Sequence, residues 1–365
     1  MEASRTSAPG KAGRGHLYLL SVLGLVAVFI AVRDRSAVPA LQAELEAKEP
    51  EVVLVEGASF ERELARAVQL FEEHRFAEAE VHLAQARALE PDAPEVHFQS
   101  GLNSMGLRQL ERAESELAMA LELEPENARY VLGMAQVIGK QITSMEDSFA
   151  KIGLASRGKN LIEQAIAIDG ELLDARLAKL LFCMMAPSIL GGGIDRAREQ
   201  ILEISKVDPA VGLFAEGWLA EQEEEWESSE AHYRSSLELN DKYPRTRHRL
   251  GHLLMGQERF DEALVQFEAG LQLEPRSPAS HDGKGLCLAG LGRYEEALRH
   301  FRRAAEIDPL WATPYFNEAE CLIEQGDDLE AARAAFSRFL EVATHEDEER
   351  IEQASRWLEQ HSPAR

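Results

Sequence analysis

One recurrence governs what this chain can become. Pro91 and Pro125 stand 34 residues apart, and so do Pro275 and Pro309. Each closes a near-identical phrase: ALEPDAP, LELEPEN, LQLEPRS and AEIDPLW. The 218 residues from Pro91 to Pro309 hold six such periods, 204 residues, with 14 left over as local insertions. A period of this size is one supersecondary unit that cannot bury its apolar face alone, so copies must stack.

Inside a period the pattern is two amphipathic helices joined by a short turn. Between Pro244 and Ser277, Leu250, Gly251 and Leu254 fall on one face of the first helix. Phe260, Ala263, Phe267 and Gly270 fall on one face of the second, by spacings of three and four. Gly251 and Ala263 are small where two axes must approach, and Pro275 ends the second helix because proline cannot continue it. A further copy reads Gly285, Tyr294, Ala297, Phe301, Ala304 and Pro309; another reads Gly101, Leu110, Ala113, Leu117, Ala120 and Pro125. Weaker copies begin at Phe60 and Ala210, and one from Ala312 runs with a slip of one residue.

This arrangement resembles the tetratricopeptide repeat, with its small residue in the first helix, alanine and an aromatic in the second, and closing proline. The resemblance implies an all-α solenoid of about eight helical hairpins over residues 60–344. A helix carrying Ile351, Ala354, Trp357 and Leu358 covers its exposed end within 345–365. Insertions are expected near 139–155 and 187–193, between the two helices of their units, and a longer first helix is expected in the unit at 173–209.

The first 59 residues read differently. After a basic segment, 1–14, residues 15–32 carry no formal charge and Leu17–Val32 is almost wholly apolar. At about 1.5 Å per residue an 18-residue helix spans about 27 Å, close to a hydrocarbon core. Arg5, Lys11 and Arg14 before it outnumber Arg33 and Arg35 after it. The expectation is a single transmembrane helix, a signal anchor, with a cytoplasmic N-terminus and an extracytoplasmic repeat domain, periplasmic in a bacterium. Residues 33–59 then form a stalk. Cleavage after Ala40 would instead release a secreted soluble adaptor.

Without its first 35 residues, which hold five Lys/Arg and two Asp/Glu, the chain sets 34 basic side chains against 62 acidic ones. Such a surface repels phosphate backbones and argues against nucleic acid as a partner. Cys183, Cys287 and Cys321 form no C-x-x-C and read as small buried hydrophobes. Gly191-Gly192-Gly193 precedes a helix but lacks the Lys-Ser/Thr of a phosphate loop, so it reads as a turn.

By the resemblance, outward positions of the first helices line a concave face for a protein or peptide. They are Phe98, Leu102 and Met105; Leu177, Leu181 and Met184; Phe214 and Trp218; then Arg245, His248, Arg249 and His252. This predicts an apolar groove with a basic patch at one end, where arginine grips a carboxylate. The competing reading is that the apolar residues are core and the arginines are neutralised by nearby glutamates. Leu102, Trp218, His252 and Leu286 stand where repeats that clamp chaperone tails carry asparagine, so that variant is disfavoured. His248 and His252 could supply half of a metal site, with Asp282 one repeat on as the single candidate third ligand. No nucleophile, base and orienter set is evident. The expectation is a membrane-tethered scaffold without enzymatic activity or cofactor, with a metal-dependent factor as the alternative.

Overall fold

The computed structural model describes residues 59–144, 148–326, 328–343 and 348–361. They form seventeen α-helices and one 3-10 turn. In chain order these are α1 (Phe60–Glu72), α2 (Phe76–Leu89), α3 (Pro94–Gly106), α4 (Leu110–Leu123), α5 (Ala128–Ser144) and α6 (Ser148–Ile168). Then follow α7 (Leu173–Met185), α8 (Ile194–Val207), α9 (Pro209–Gln222), α10 (Trp226–Leu239), α11 (Pro244–Gly256) and α12 (Phe260–Leu273). The last five are α13 (Pro278–Gly290), α14 (Tyr294–Ile307), α15 (Thr313–Gln325), α16 (Leu329–Val342) and α17 (Glu348–Gln360). Each odd-numbered helix from α1 to α15 pairs with its successor, and the eight hairpins stack as a helical solenoid.

A small residue faces a bulky one sixteen positions later inside the regular hairpins. A Cβ on Gly217 would lie 2.6 Å from the Tyr233 ring, one on Gly251 2.8 Å from Phe267, and one on Gly285 2.6 Å from Phe301. The ring occupies the volume that any side chain would need, so the pairing sets the separation of the two helices. Phe267 serves two hairpins at once, because Gly283 of the next first helix also rests on its ring, at 2.5 Å from a built Cβ.

Helix starts are fixed locally. Proline opens α3, α9, α11 and α13, where its missing N–H costs nothing. Asp208 and Ser277 accept backbone N–H bonds as N-caps. The turns between hairpins carry a second lock that the repeat pattern does not announce: a donor six residues on bonds back to a turn carbonyl. His97 donates to Pro91 O at 2.8 Å, Arg247 to Asp241 O at 2.6 Å, His281 to Pro275 O at 3.2 Å and Tyr315 to Pro309 O at 3.2 Å. Carbonyls left open after a helix end are thus satisfied by the next helix.

The insertions take two forms. The first lengthens helices, since α5 has 17 residues and α6 has 21 against 13 and 14 in the regular units. The second is the segment 186–193 with a 3-10 turn at Ser188–Leu190. Gly192 there is irreplaceable, because a Cβ would fall 1.7 Å from Ala186 O. Contrary to the sequence expectation α7 is not long; its 13 residues equal those of α3, α11 and α13, and the loop absorbs the surplus. Ala354 is buried, and Ile351, Trp357 and Leu358 of α17 pack against the cluster around Phe316 and Phe336. The three cysteines are buried and free.

Among the described residues no helix is long and apolar enough to cross a membrane. This overturns the single-pass membrane placement drawn from the sequence, with its cytoplasmic N-terminus and extracytoplasmic repeats. The apolar segment 15–32, the basic segment 1–14 and the stalk as far as residue 58 lie outside the described residues.

Candidate functional site on the inner helices

First helices touch one another across hairpin boundaries: α1 with α3, α3 with α5, α7 with α9, α11 with α13 and α13 with α15. Among the described residues no pair of second helices packs to a comparable extent, so the stack bends with its first helices inside. The sequence-predicted residues sit on α3, α7, α9 and α11, all first helices.

Bending decides which of them remain open. Phe98 and Phe214 are 4% and 3% exposed, and Met105 and Leu177 are buried as well. Phe98 lies 4.8 Å from the Tyr130 ring, with the Arg129 guanidinium 4.9 Å over its face. Phe214 is enclosed by Trp218, Tyr233 and Tyr243 at ring separations of 6.0, 6.0 and 5.3 Å. These are core residues joining neighbouring hairpins. Leu102, Leu181, Met184 and Trp218 stay half-buried and reachable. Leu286 on α13, at the register of Leu102 and Trp218, continues the row.

The charges at the end of this row are paired within the chain. Arg249 Nη1 donates to Glu221 Oε2 at 3.3 Å, Tyr233 donates to the same oxygen at 2.7 Å, and the guanidinium lies 4.6 Å over the Trp218 ring. Glu221 is buried, so this knot is one unit: removing a member strands a desolvated charge. Arg245 Nη2 meets Asp174 Oδ1 at 3.0 Å, bridging α11 and α7 across α9, with both side chains 55% exposed. An exposed pair of this kind is weak and exchanges readily.

His248 and His252 are uncharged at neutral pH. Desolvation, then the Arg249 charge, holds His248 down to about 4, and desolvation, with the neighbouring His248 imidazole and the Arg249 charge adding to it, holds His252 well below its ordinary value. Their Nε2 atoms lie 3.1 Å apart and both rings meet Phe267 edge-on. The basic patch of the sequence reading therefore presents one exposed arginine and two neutral imidazoles. Asp282 does not join the histidines. Its Oδ1 accepts from Asn317 Nδ2 at 2.9 Å, and burial pushes its carboxyl up to about 7. Among the described residues no group of three or more His, Cys, Asp or Glu is arranged to hold a metal ion.

Two surface cavities lie away from this row. One, of about 560 Å³, is lined by Glu124–Arg129, Ile168 and Asp169; the other, of about 430 Å³, by Glu199, Leu202, Glu203, Ser205 and Lys206. Sequence reasoning missed Asp174, Glu221, Tyr233 and Tyr243 as the partners of these residues. Glu221 lies 28 residues before Arg249 and Asp174 lies 71 before Arg245. Those offsets match no helical spacing, so no sequence signal pairs them.

Comparison with known proteins agrees with this architecture. Two family models, both of the tetratricopeptide repeat, match residues 70–137 and 248–310. Those two stretches carry tetratricopeptide repeats. Among solved structures, yeast Tom70 is similar at a TM-score of 0.59 and 16% identity, over 89% of this chain and 70% of that one. The Cut9–Hcn1 hetero-tetramer of APC/C gives 0.49 and 14%, over 90% of this chain and 61% of that one. At 16% identity the likeness to Tom70 concerns the fold alone. No curated protein matches the chain.

Proposed function

We propose that this protein is a scaffold whose inner face binds a protein or peptide ligand, without chemistry of its own. One observation carries the reading. From α7 to α13 successive first helices each leave one side chain half open at the same register (Leu181 on α7, Trp218 on α9, His252 on α11, Leu286 on α13), with Leu102 at that register on α3 and the exposed Gln136 on α5 between them, while the neighbouring charges are satisfied internally. A row of this kind receives bulky apolar side chains of an extended or helical peptide. Trp218 is the central anchor, since its ring is backed by Phe214 and held by Arg249. Arg245 offers the accompanying carboxylate site, because a ligand carboxylate can replace the exposed Asp174.

Site-specific photo-crosslinking tests this. A crosslinker at Leu181 or Leu286 should capture the same ligand, and one at Val265 on α12, 57% exposed on a second helix, should capture none of it. Trp218→Ala should weaken capture by on the order of 2 kcal/mol, the usual loss for an interface tryptophan. Equal capture from Val265 would overturn the reading.

A further inference from the structure

Four charged or titratable side chains far apart in sequence meet at the edges of the stack. The turns inside the first two hairpins place His74 and Arg108 at the same left-handed position, φ 55° and 61°. Opposite them stand Arg276, in the turn between α12 and α13, and Asp308, in the turn between α14 and α15. Arg276 Nε donates to Glu73 O at 2.5 Å, a bond between residues 203 apart. Arg108 Nη2 lies 3.6 Å from Asp308 Oδ2. His74 is half-buried between them: desolvation lowers its proton affinity, Asp308 opposes this and Arg276 adds to it. Lys140 near the end of α5 feels Arg108 and Asp308 as well.

A stack of hairpins needs contacts only between neighbours. Here the edge formed by the early hairpins rests on the edge formed by the late ones, so the curve has come round upon itself. Neighbouring hairpins pack through buried apolar clusters, whereas this junction is polar, with Arg108 and Asp308 38% and 33% exposed. Partly exposed ion pairs are weak and screened by salt. The junction is thus the first long-range contact to give way, and small rotations at each hairpin interface can absorb its opening.

We propose that these four turns form an electrostatic clasp that closes the superhelix and, by opening, controls access to the inner face. The proposal rests on the scaffold reading for what the inner face receives. It does not need that reading for the opening itself, which is measurable without a ligand.

The test uses the full chain. Dyes on Glu72→Cys and Glu306→Cys, both exposed positions flanking the clasp, report its opening by energy transfer. The native cysteines are buried with thiols pushed up by burial, Cys287 to about 12 and Cys321 to about 11, so labelling is selective. Asp308→Lys sets a cation against Arg108, Arg276 and His74 and should lower transfer. Salt at 1 M, where the screening length falls to about 3 Å, should lower it in the parent but not in Asp308→Lys. Arg108→Asp combined with Asp308→Lys should recover part of the loss. Helical circular dichroism must stay unchanged; where Asp308→Lys alters it, Arg276→Ala with Arg108→Ala takes its place. Access is read with Leu181→Cys in an otherwise parent chain, as the rate of modification by polyethylene-glycol maleimide relative to N-ethylmaleimide. That ratio should rise several-fold when the clasp is open. Unchanged transfer in both salt and variant would overturn the clasp, and lowered transfer with an unchanged ratio would overturn its control of access. Failure of the scaffold reading appears elsewhere, as crosslinking that does not distinguish inner from outer positions.

Discussion

Hairpins α11–α14 and hairpins α5–α8 build the same superhelix by different means. In the first pair, glycine lies against an aromatic ring within each hairpin, and both helices have standard lengths. In the second pair Leu180, fully buried, stands where Gly251 stands, and Ile201 takes the place of the aromatic. The hairpin is held apart by aliphatic bulk on both sides, and extra length goes into α5, α6 and the loop at 186–193. One family model matches the regular stretch over 248–310, and the other ends at residue 137, inside α5. What a repeat family conserves as a pattern is one way of filling the space between two helices. The bend of the stack tolerates others, provided that the volume is filled.

The comparison predicts unequal sensitivity. Phe267 is fully buried and supports Gly251, Gly283, His248 and His252 together. Phe267→Ala should therefore cost about 3–5 kcal/mol in urea unfolding. Ile201→Val in the irregular pair should cost about 0.5–1.5 kcal/mol, because only one methylene leaves the buried cluster that also holds Phe267. Equal losses would mean that the aromatic has no special place.

Charge burial sharpens the contrast at α13. Asp282 has an ordinary value of 3.8 when unfolded and about 7 when folded, so between those values the folded chain holds the extra proton. Stability then falls as pH rises from about 4 to about 7, and the loss is complete above that range. Asp282→Asn keeps the acceptor for Asn317 and removes the carboxylate. Thermal melts should show no gain at pH 4 and a gain on the order of a few kcal/mol at pH 8. A gain independent of pH would assign the effect to packing instead.

The smallest effect lies in the turns. The left-handed residue between the helices of a hairpin is His74, Arg108, Glu224 or Glu258 in four units, but Gly292 and Gly326 in two. Glu258→Gly removes a steric penalty and should stabilise by about 1 kcal/mol or less, read as a shift in the urea midpoint. The same change at Arg108 would also remove a clasp cation and should show the lower energy transfer of the opened form.

Much of the fold was legible because its determinants are local. A 34-residue period, small-to-large pairs sixteen apart, and prolines at helix starts and stops each act within one hairpin, where sequence distance and spatial distance agree. That reading placed the predicted site residues on first helices, which proved to be the inner ones. It could not say that Phe98 and Phe214 are covered while Leu102 and Trp218 stay open, since that depends on how tightly neighbouring first helices converge. Nor could it say that Arg249 is tied to Glu221 and Arg245 to Asp174.

What the residues alone determined, then, is the hairpin and the fact of stacking, because helix periodicity and close packing operate over one or two turns of chain. Tertiary structure decided the curvature and, through it, which side chains are shielded, which charges are matched, and that the turn at His74 comes to rest beside Asp308. Curvature is the sum of small rotations at successive interfaces, and no single repeat encodes that sum.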